Sequence, residues 1–161
     1  MKNFMNLEKV KLVIFDFDGV FTDNSVYISH DGIESVKCHR SDGLGISKLK
    51  ALKIPTYIIS TESNIVVSVR AKKLKIPVFQ NIKDKSESVK LLCKDLGIKL
   101  ENTMFVGNDI NDIPALKIVG FPVAVFDSYN EIIPHVIYKT KKKGGFGAVR
   151  EICDLLYNQL K

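Results

Sequence analysis

The chain has 161 residues, 45% of them hydrophobic and 26% charged, and its 24 basic residues outnumber 18 acidic ones for a net charge of +6. That length predicts one domain spanning residues 1–161, which buries ~70% of the surface its unfolded form exposes. The composition excludes a disordered chain, no apolar run is long enough for a membrane span, and the N-terminus has Lys2 but no apolar h-region, so a cytoplasmic protein is expected. The positive charge is scattered, and its one dense patch, residues 139–143, lacks the interleaved aromatics of a strand-binding surface. A small anionic ligand is therefore expected rather than nucleic acid or membrane.

Residues 1–10 read as a polar lead-in. Leu12 to Phe15 are apolar without alternation, the pattern of a strand buried on both faces in a parallel sheet. Asp16 and Asp18 fall where that strand ends, which in an open α/β sheet is where ligands bind. If the backbone leaves the strand at Asp16, both residues can offer oxygens to one magnesium ion, which favours such ligands. One carboxylate can also act as a nucleophile and the other as a proton donor. The plainer reading is a polar strand end followed by an Asp-Gly turn at Gly19.

Ser25 to Ser29 and Ile33 to His39 flank the turn signal His30-Asp31-Gly32, so a hairpin is expected. Asp42 and Gly43 precede a helical stretch, Ser47 to Lys53, and as a strongly preferred cap Asp42 can simply start it. Thr56 to Ser60 is the second strand. Its closing hydroxyls, Ser60 and Thr61, suit a phosphate oxygen at a strand-to-helix junction, or else cap the helix. Beyond Glu62, Arg70 and Lys73 share a helical face, which could equally be an exposed face of ordinary charges. Ile76 to Phe79 is a short third strand. Lys83 and Lys85 then lead into a helix carrying Val89, Leu92, Cys93 and Leu96 on one side and stopping at Gly97.

Thr103 to Val106 is the fourth strand, followed by Gly107-Asn108-Asp109-Ile110-Asn111-Asp112. Pro122 to Phe126 is the fifth, ended by Asp127-Ser128. Gly144, Gly145 and Gly147 make a flexible loop able to approach a ligand closely. Residues 148–160 form an amphipathic helix with Val149, Ile152, Cys153, Leu156 and Leu160 on one face. Cys38, Cys93 and Cys153 are odd in number and far apart, as for reduced thiols. About five alternations of strand and helix predict an α/β fold, a doubly wound, Rossmann-like parallel sheet with the hairpin as an insertion.

Asp16-Phe17-Asp18-Gly19-Val20 resembles the first motif (DxDGV) of the haloacid dehalogenase-like phosphatases, and the continuation Val20-Phe21-Thr22-Asp23 resembles their ulosonate phosphatase branch. The resemblance implies that Asp16 is the nucleophile, that Asp18 is the general acid and base, and that Mg2+ is the cofactor. It carries Ser60 over as the second motif and Lys85 as the third, with Lys83 as competitor. Gly107 to Asp112 resembles the fourth motif, Gly-Asp-Asp-x-x-Asp. Asn108 replaces its first acid, so Asn108 and Asp109 are both candidates to join Asp16 and Asp18 at the metal, and Asp112 is a supporting acid.

The family's substrate loop matches Asp42-Gly43, although Ser41 stands at the place of the arginine that precedes it there and Arg40 lies one residue earlier. Thr61 and Glu62 fall where the octulosonate branch ends a Thr-Gly-Arg triplet. Glu62 with Arg70 and Lys73 instead resembles the branch acting on 2-keto-3-deoxynononate or sialic acid 9-phosphates, in which Glu62 would meet sugar hydroxyls and the two cations the substrate carboxylate. In the ulosonate phosphatases a hairpin in this place stands in for a cap domain, and the resemblance implies a homotetramer. The tail Gly144 to Glu151 resembles a Gly-Gly-x-Gly-Ala-x-Arg-Glu segment that in relatives reaches toward an active site across the tetramer.

The expected activity is thus Mg-dependent hydrolysis of a nine-carbon sugar acid 9-phosphate through an aspartyl-phosphate. The nearer alternative is a 3-deoxy-D-manno-octulosonate 8-phosphate phosphatase. The other is a non-catalytic assembly module partnering an acylneuraminate cytidylyltransferase, which retention of Asp16, Asp18 and Lys85 argues against.

Overall fold

The computed structural model describes residues 6–161. The first half of the expected lead-in lies outside the described residues. Its second half is no loose segment: Leu7–Lys9 form one 3-10 turn, and Leu7 and Val10 are buried in the core.

Six strands form one sheet in the order β5-β4-β1-β6-β7-β8, with every pairing parallel. They are β1 (Leu12–Phe15), β4 (Thr56–Ile59), β5 (Val78–Phe79), β6 (Thr103–Gly107), β7 (Phe121–Ala124) and β8 (Tyr138–Lys139). The hairpin strands β2 (Thr22–Ile28) and β3 (Glu34–Cys38) pair antiparallel in a separate sheet. The connecting helices are α1 (Asp42–Ala51), α2 (Val66–Leu74), α3 (Lys85–Leu96), α4 (Ile113–Leu116) and α5 (Ala148–Leu160).

Side chains alternate across a strand, and β1 sorts them into two apolar layers. Val13 and Phe15 pack with Ile46 and Leu49 of α1, Val67 and Ala71 of α2, and Ile152 and Leu156 of α5. Leu12 and Ile14 pack with Val89 and Leu92 of α3 and Ala115 and Leu116 of α4. Both faces of the sheet are therefore covered, which explains why β1 has no polar residue. No helix among the described residues is long and apolar enough to cross a membrane. The three cysteines are free thiols.

One helix start and one additional strand are the main departures from expectation, beside shifts of a few residues at the ends of β2, β5 and β7. Helix α1 begins at Asp42 rather than Ser47, because tertiary packing carries it through Gly43 and Gly45, two weak helix formers. Gly45 is where α1 meets α5: a Cβ there would lie 3.0 Å from Cys153 Cβ and 3.1 Å from Arg150 Cα. Strand β8 adds a sixth member that at two residues is too short to show a period.

Topology fixes where a ligand can bind. From β1 the chain runs outward through β4 and β5, then returns through α3 to β6 on the other side of β1. The strand order therefore reverses between β1 and β6, and the crevice beyond their carboxyl ends is the natural site.

Candidate active site

The Asp16 N–H still donates to Val106 O of β6 at 2.9 Å, so Asp16 is the last residue that β1 aligns. The chain then turns tightly: Val20, Phe21 and Thr22 N–H groups all donate to Phe17 O, at 3.2, 2.9 and 3.3 Å. Gly19, in the middle of that turn, has φ +75°, and a Cβ there would sit 2.0 Å from Asn108 Nδ2. The turn bearing Asp18 thus rests on the Asn108 side chain. Thr22, which sequence reasoning did not single out, is fully buried and its Oγ1 accepts from Gly19 N at 3.1 Å.

Lys85 reaches this point from the first turn of α3. Asp84 caps that helix, its side chain accepting from Ser86 N at 2.8 Å and Glu87 N at 3.4 Å. Lys85 Nζ lies 2.7 Å from Asp16 Oδ1 and 2.6 Å from Asp112 Oδ1, with its side chain wholly enclosed. Lys83, by contrast, is exposed. Asp112 Oδ2 in turn accepts from the N–H groups of Asn108 at 2.8 Å and Asp109 at 3.3 Å. A Cβ at Gly107 would fall 2.4 Å from that oxygen, so glycine is required for Asp112 to come so close.

Electrostatics follow from this burial. Desolvation, and next the charge of Asp112, push the Asp16 carboxyl up to about 7, against the pull of Lys85. Desolvation works against the Lys85 charge, but Asp16 and Asp112 together hold its ammonium above the usual lysine range. The Asp18 carboxyl is raised by its own burial and then by Glu62 and Glu34, with Lys85 opposing. Such a shift favours the protonated form, the one that can donate a proton.

Asp16, Asp18 and Asp112 place three acidic side chains around one ammonium, an excess of acids over cations. A divalent cation would balance that excess, and the donors are the hard oxygens that magnesium selects. No three Asp, Glu, His or Cys side chains form a metal cage among the described residues. The oxygen set at hand is Asp16, Asp18 and the amide of Asn108. Asp109 points its Oδ1 at Ile110 N, 2.7 Å away, and so caps its own 3-10 turn.

The loop after β4 supplies the opposite wall. Ser60 is buried, its N–H donating to Phe79 O at 2.9 Å and its Oγ accepting from Glu62 N at 3.1 Å, which leaves the hydroxyl hydrogen to donate. Thr61 is exposed and its Oγ1 accepts from Asn111 Nδ2 at 3.4 Å, tying this loop to the one after β6. Glu62 Oε1 accepts from Ser63 N and Asn64 N, both at 2.7 Å, so the carboxylate that acts on Asp18 is fixed in place.

Four expected substrate contacts are not gathered here. Arg70 Nη2 donates to His39 O at 3.0 Å, and Arg70 and Lys73 line an open cleft of about 470 Å³ with Glu34, Val36 and Cys38 of the hairpin side, a cleft that does not include Glu62. Asp42 is buried beside Arg70 and Arg150 with neither carboxylate oxygen hydrogen-bonded, and Gly43 faces Leu74. The glycine tail, expected to be flexible, packs on its own chain: Gly145 N donates to Val20 O at 3.2 Å.

Comparison with known proteins shows the family. Residues 46–151 match the haloacid dehalogenase-like hydrolase family. The chain is 37% identical over 150 residues to the 3-deoxy-D-manno-octulosonate 8-phosphate phosphatase of Escherichia coli, covering 92% of this chain and 80% of that one. A HAD family hydrolase from Streptomyces avermitilis superposes with a TM-score of 0.91 at 43% identity, covering 94% and 87% of the two chains. The Moraxella catarrhalis 3-deoxy-D-manno-octulosonate 8-phosphate phosphatase, solved with magnesium, phosphate and its sugar acid, gives 0.91 at 34% identity over 95% and 88%. With paired aspartates at the end of β1 and a buried lysine in the first turn of α3, this chain belongs to the haloacid dehalogenase-like hydrolases and is a phosphoric monoester hydrolase.

Proposed function

We propose that the chain removes the terminal phosphate of a 2-keto-3-deoxy sugar acid, with a nine-carbon 9-phosphate as preferred substrate. In the first step an Asp16 carboxylate oxygen attacks phosphorus in line, forming an O–P bond as the bond to the sugar oxygen breaks. Asp18 gives its proton to that leaving oxygen. In the second step Asp18, now a carboxylate, takes a proton from water, whose oxygen attacks phosphorus and releases phosphate from Asp16. Ser60 donates to a phosphoryl oxygen, and Lys85 neutralises charge that Asp16 and the phosphoryl group share. Magnesium, held by Asp16, Asp18 and Asn108, would supply further charge neutralisation when bound. We infer Asn108 rather than Asp109 as the third ligand, because its side chain lies against the turn that carries Asp18.

Glu62 is the observation that carries the nine-carbon reading. Its Oε1 is held by two backbone N–H groups close enough to Asp18 to act on it, and the carboxylate would accept hydrogen bonds from sugar hydroxyls. An arginine in its place would offer only donors. A second reading, the eight-carbon 8-phosphate, is favoured by the names of the sequence relatives and of the Moraxella catarrhalis structure, and by those findings it is the better supported of the two. The assembly is a proposed homotetramer joined through the hairpin, whose Val26, Tyr27, Ile28 and Ile33 are exposed.

The test is magnesium-dependent phosphate release from nonulosonate 9-phosphates, octulosonate 8-phosphate and an aryl phosphate. The highest kcat/KM on a nine-carbon acid supports the first reading, and preference for the eight-carbon acid replaces it with the second. Asp16→Asn should release nothing while keeping the native circular dichroism. No release by the wild-type protein from any member of the panel would turn the assignment toward a module that associates with a cytidylyltransferase.

A further inference from the structure

The turn that carries Asp18 does not hold itself in place. Its N–H groups close on Phe17 O, but the Val20 carbonyl accepts from Gly145 N, near the far end of the chain, at 3.2 Å. The two segments touch backbone to backbone: a Cβ on Gly144 would fall 1.8 Å from Gly19 O, and one on Gly145 2.3 Å from Asp23 N. Glycine is required at both places, and Gly145 also has φ +68°.

Residues 140–147 are in turn anchored by side chains that take no part in the cluster around Asp16. Thr140, buried at the end of β8, accepts from Phe126 N at 3.0 Å and donates to Lys142 O at 2.6 Å. Glu151, in the first turn of α5, accepts from Lys141 N at 2.9 Å, Lys142 N at 2.8 Å and Tyr138 Oη at 2.8 Å. Asp127, on the exposed loop after β7, accepts from Gly144 N at 2.9 Å.

We propose that residues 140–147 form a strap that sets the position of Asp18, and that Asp127 and Glu151 are positioning residues for proton donation to the leaving oxygen. The nucleophile is held independently, by β1, β6 and Lys85, so loosening the strap shifts the acid and leaves the nucleophile where it is. Proton transfer needs the acid within ~3 Å of its target, and a displacement of ~1 Å can cost as much as ~100-fold in rate. The inference rests on Asp18 being the general acid.

The experiment compares kcat/KM on two substrates, the preferred sugar acid phosphate and nitrophenyl phosphate. A sugar alkoxide needs a proton as it leaves; a nitrophenolate does not. kcat/KM extends only to formation of the aspartyl-phosphate, so the later role of Asp18 as a base does not enter. Asp127→Ala should lose roughly tenfold on the sugar phosphate and less than about twofold on nitrophenyl phosphate, with Asp127→Asn restoring both. Glu151→Gln should behave like Asp127→Ala. Should either variant lose activity equally on the two substrates, or on neither, the strap has no positioning role. Asp18→Asn provides the reference: if it too fails to discriminate, the assignment of the acid is what fails. If Asp18→Asn discriminates and the strap variants do not, the strap inference alone is overturned.

Discussion

At the scale of single residues, the chemistry comes from charges that water does not reach. Two buried carboxylates hold Lys85, and such a triad is tolerated because every partner is bonded at 2.6–2.7 Å. Asn108 leaves the cluster one acid short of the family motif. Asn108→Asp should lower the magnesium concentration for half-maximal phosphate release by roughly tenfold, about 1.4 kcal/mol of binding. The added charge would also repel Asp16, so the variant should melt lower than wild type in chelator and recover when magnesium is added. Asp42 presents the opposite case, a buried carboxylate with no close hydrogen-bond partner, whose carboxyl burial pushes up to about 7 despite the Arg150 backbone N–H and the charges of Arg70 and Arg150. The folded state therefore binds this proton more tightly than the unfolded chain does. That contribution to stability is complete below the unfolded value and is lost as pH rises through about 7. Asp42→Asn should consequently melt above wild type at pH ~8, by at most about 4 kcal/mol in stability, with the gain vanishing toward pH ~4. Denaturant unfolding at the two pH values checks this. Asp16, Asp18 and Lys85 were legible because their residue types stand at strand ends in the right order. Asp42 was not, since nothing local in the sequence says that a helix-starting aspartate will be covered by α2 and α5.

Among the elements, α3 links stability to activity through one cap. Asp84 accepts from Ser86 N and Ser86 Oγ at 2.8 and 2.7 Å, and the next residue is Lys85, so the cap also fixes where the ammonium emerges. Asp84→Ala should lower the melting midpoint by roughly 2–4 °C and reduce kcat several-fold, while Asp84→Asn, which keeps an acceptor, recovers both. Calorimetry and phosphate release on the same samples separate the two effects. The body of α3 was legible from Val89, Leu92 and Cys93 recurring at helical spacing and from Gly97, which takes φ +65° at its end. The start of α1 was hidden by two glycines whose place in a helix is decided by contact with α5. Strand β8 was hidden by its length, because pairing with β7 rather than any local pattern makes Tyr138 and Lys139 extended.

Across the whole molecule, the apolar layers and the reversal of strand order beside β1 follow from alternation of strands and helices, which composition and spacing reveal. What pattern alone could not reveal was how distant segments meet. The glycine tail looked like a loop free to approach a ligand, and its partner is the nucleophile turn of its own chain. The hairpin raises the same question in reverse, because Val36 and Cys38 pack on the chain's own core while its other apolar side chains stay exposed. A lone two-stranded sheet is marginal in water, and this one projects Tyr27 at 57% exposure, Ile28 at 69% and Ile33 at 62%. Burying those side chains against further copies would offset the cost of ordering the hairpin, as the proposed tetramer requires. Ile28→Lys places a charge in that contact, at the end of β2, without touching the six-stranded sheet or the aspartates. Sedimentation velocity at micromolar concentration should then show the wild type as a tetramer and the variant as smaller species with unchanged circular dichroism. A wild-type protein that sediments as a monomer would mean that the hairpin stands alone in water and that its apolar side chains serve no self-assembly.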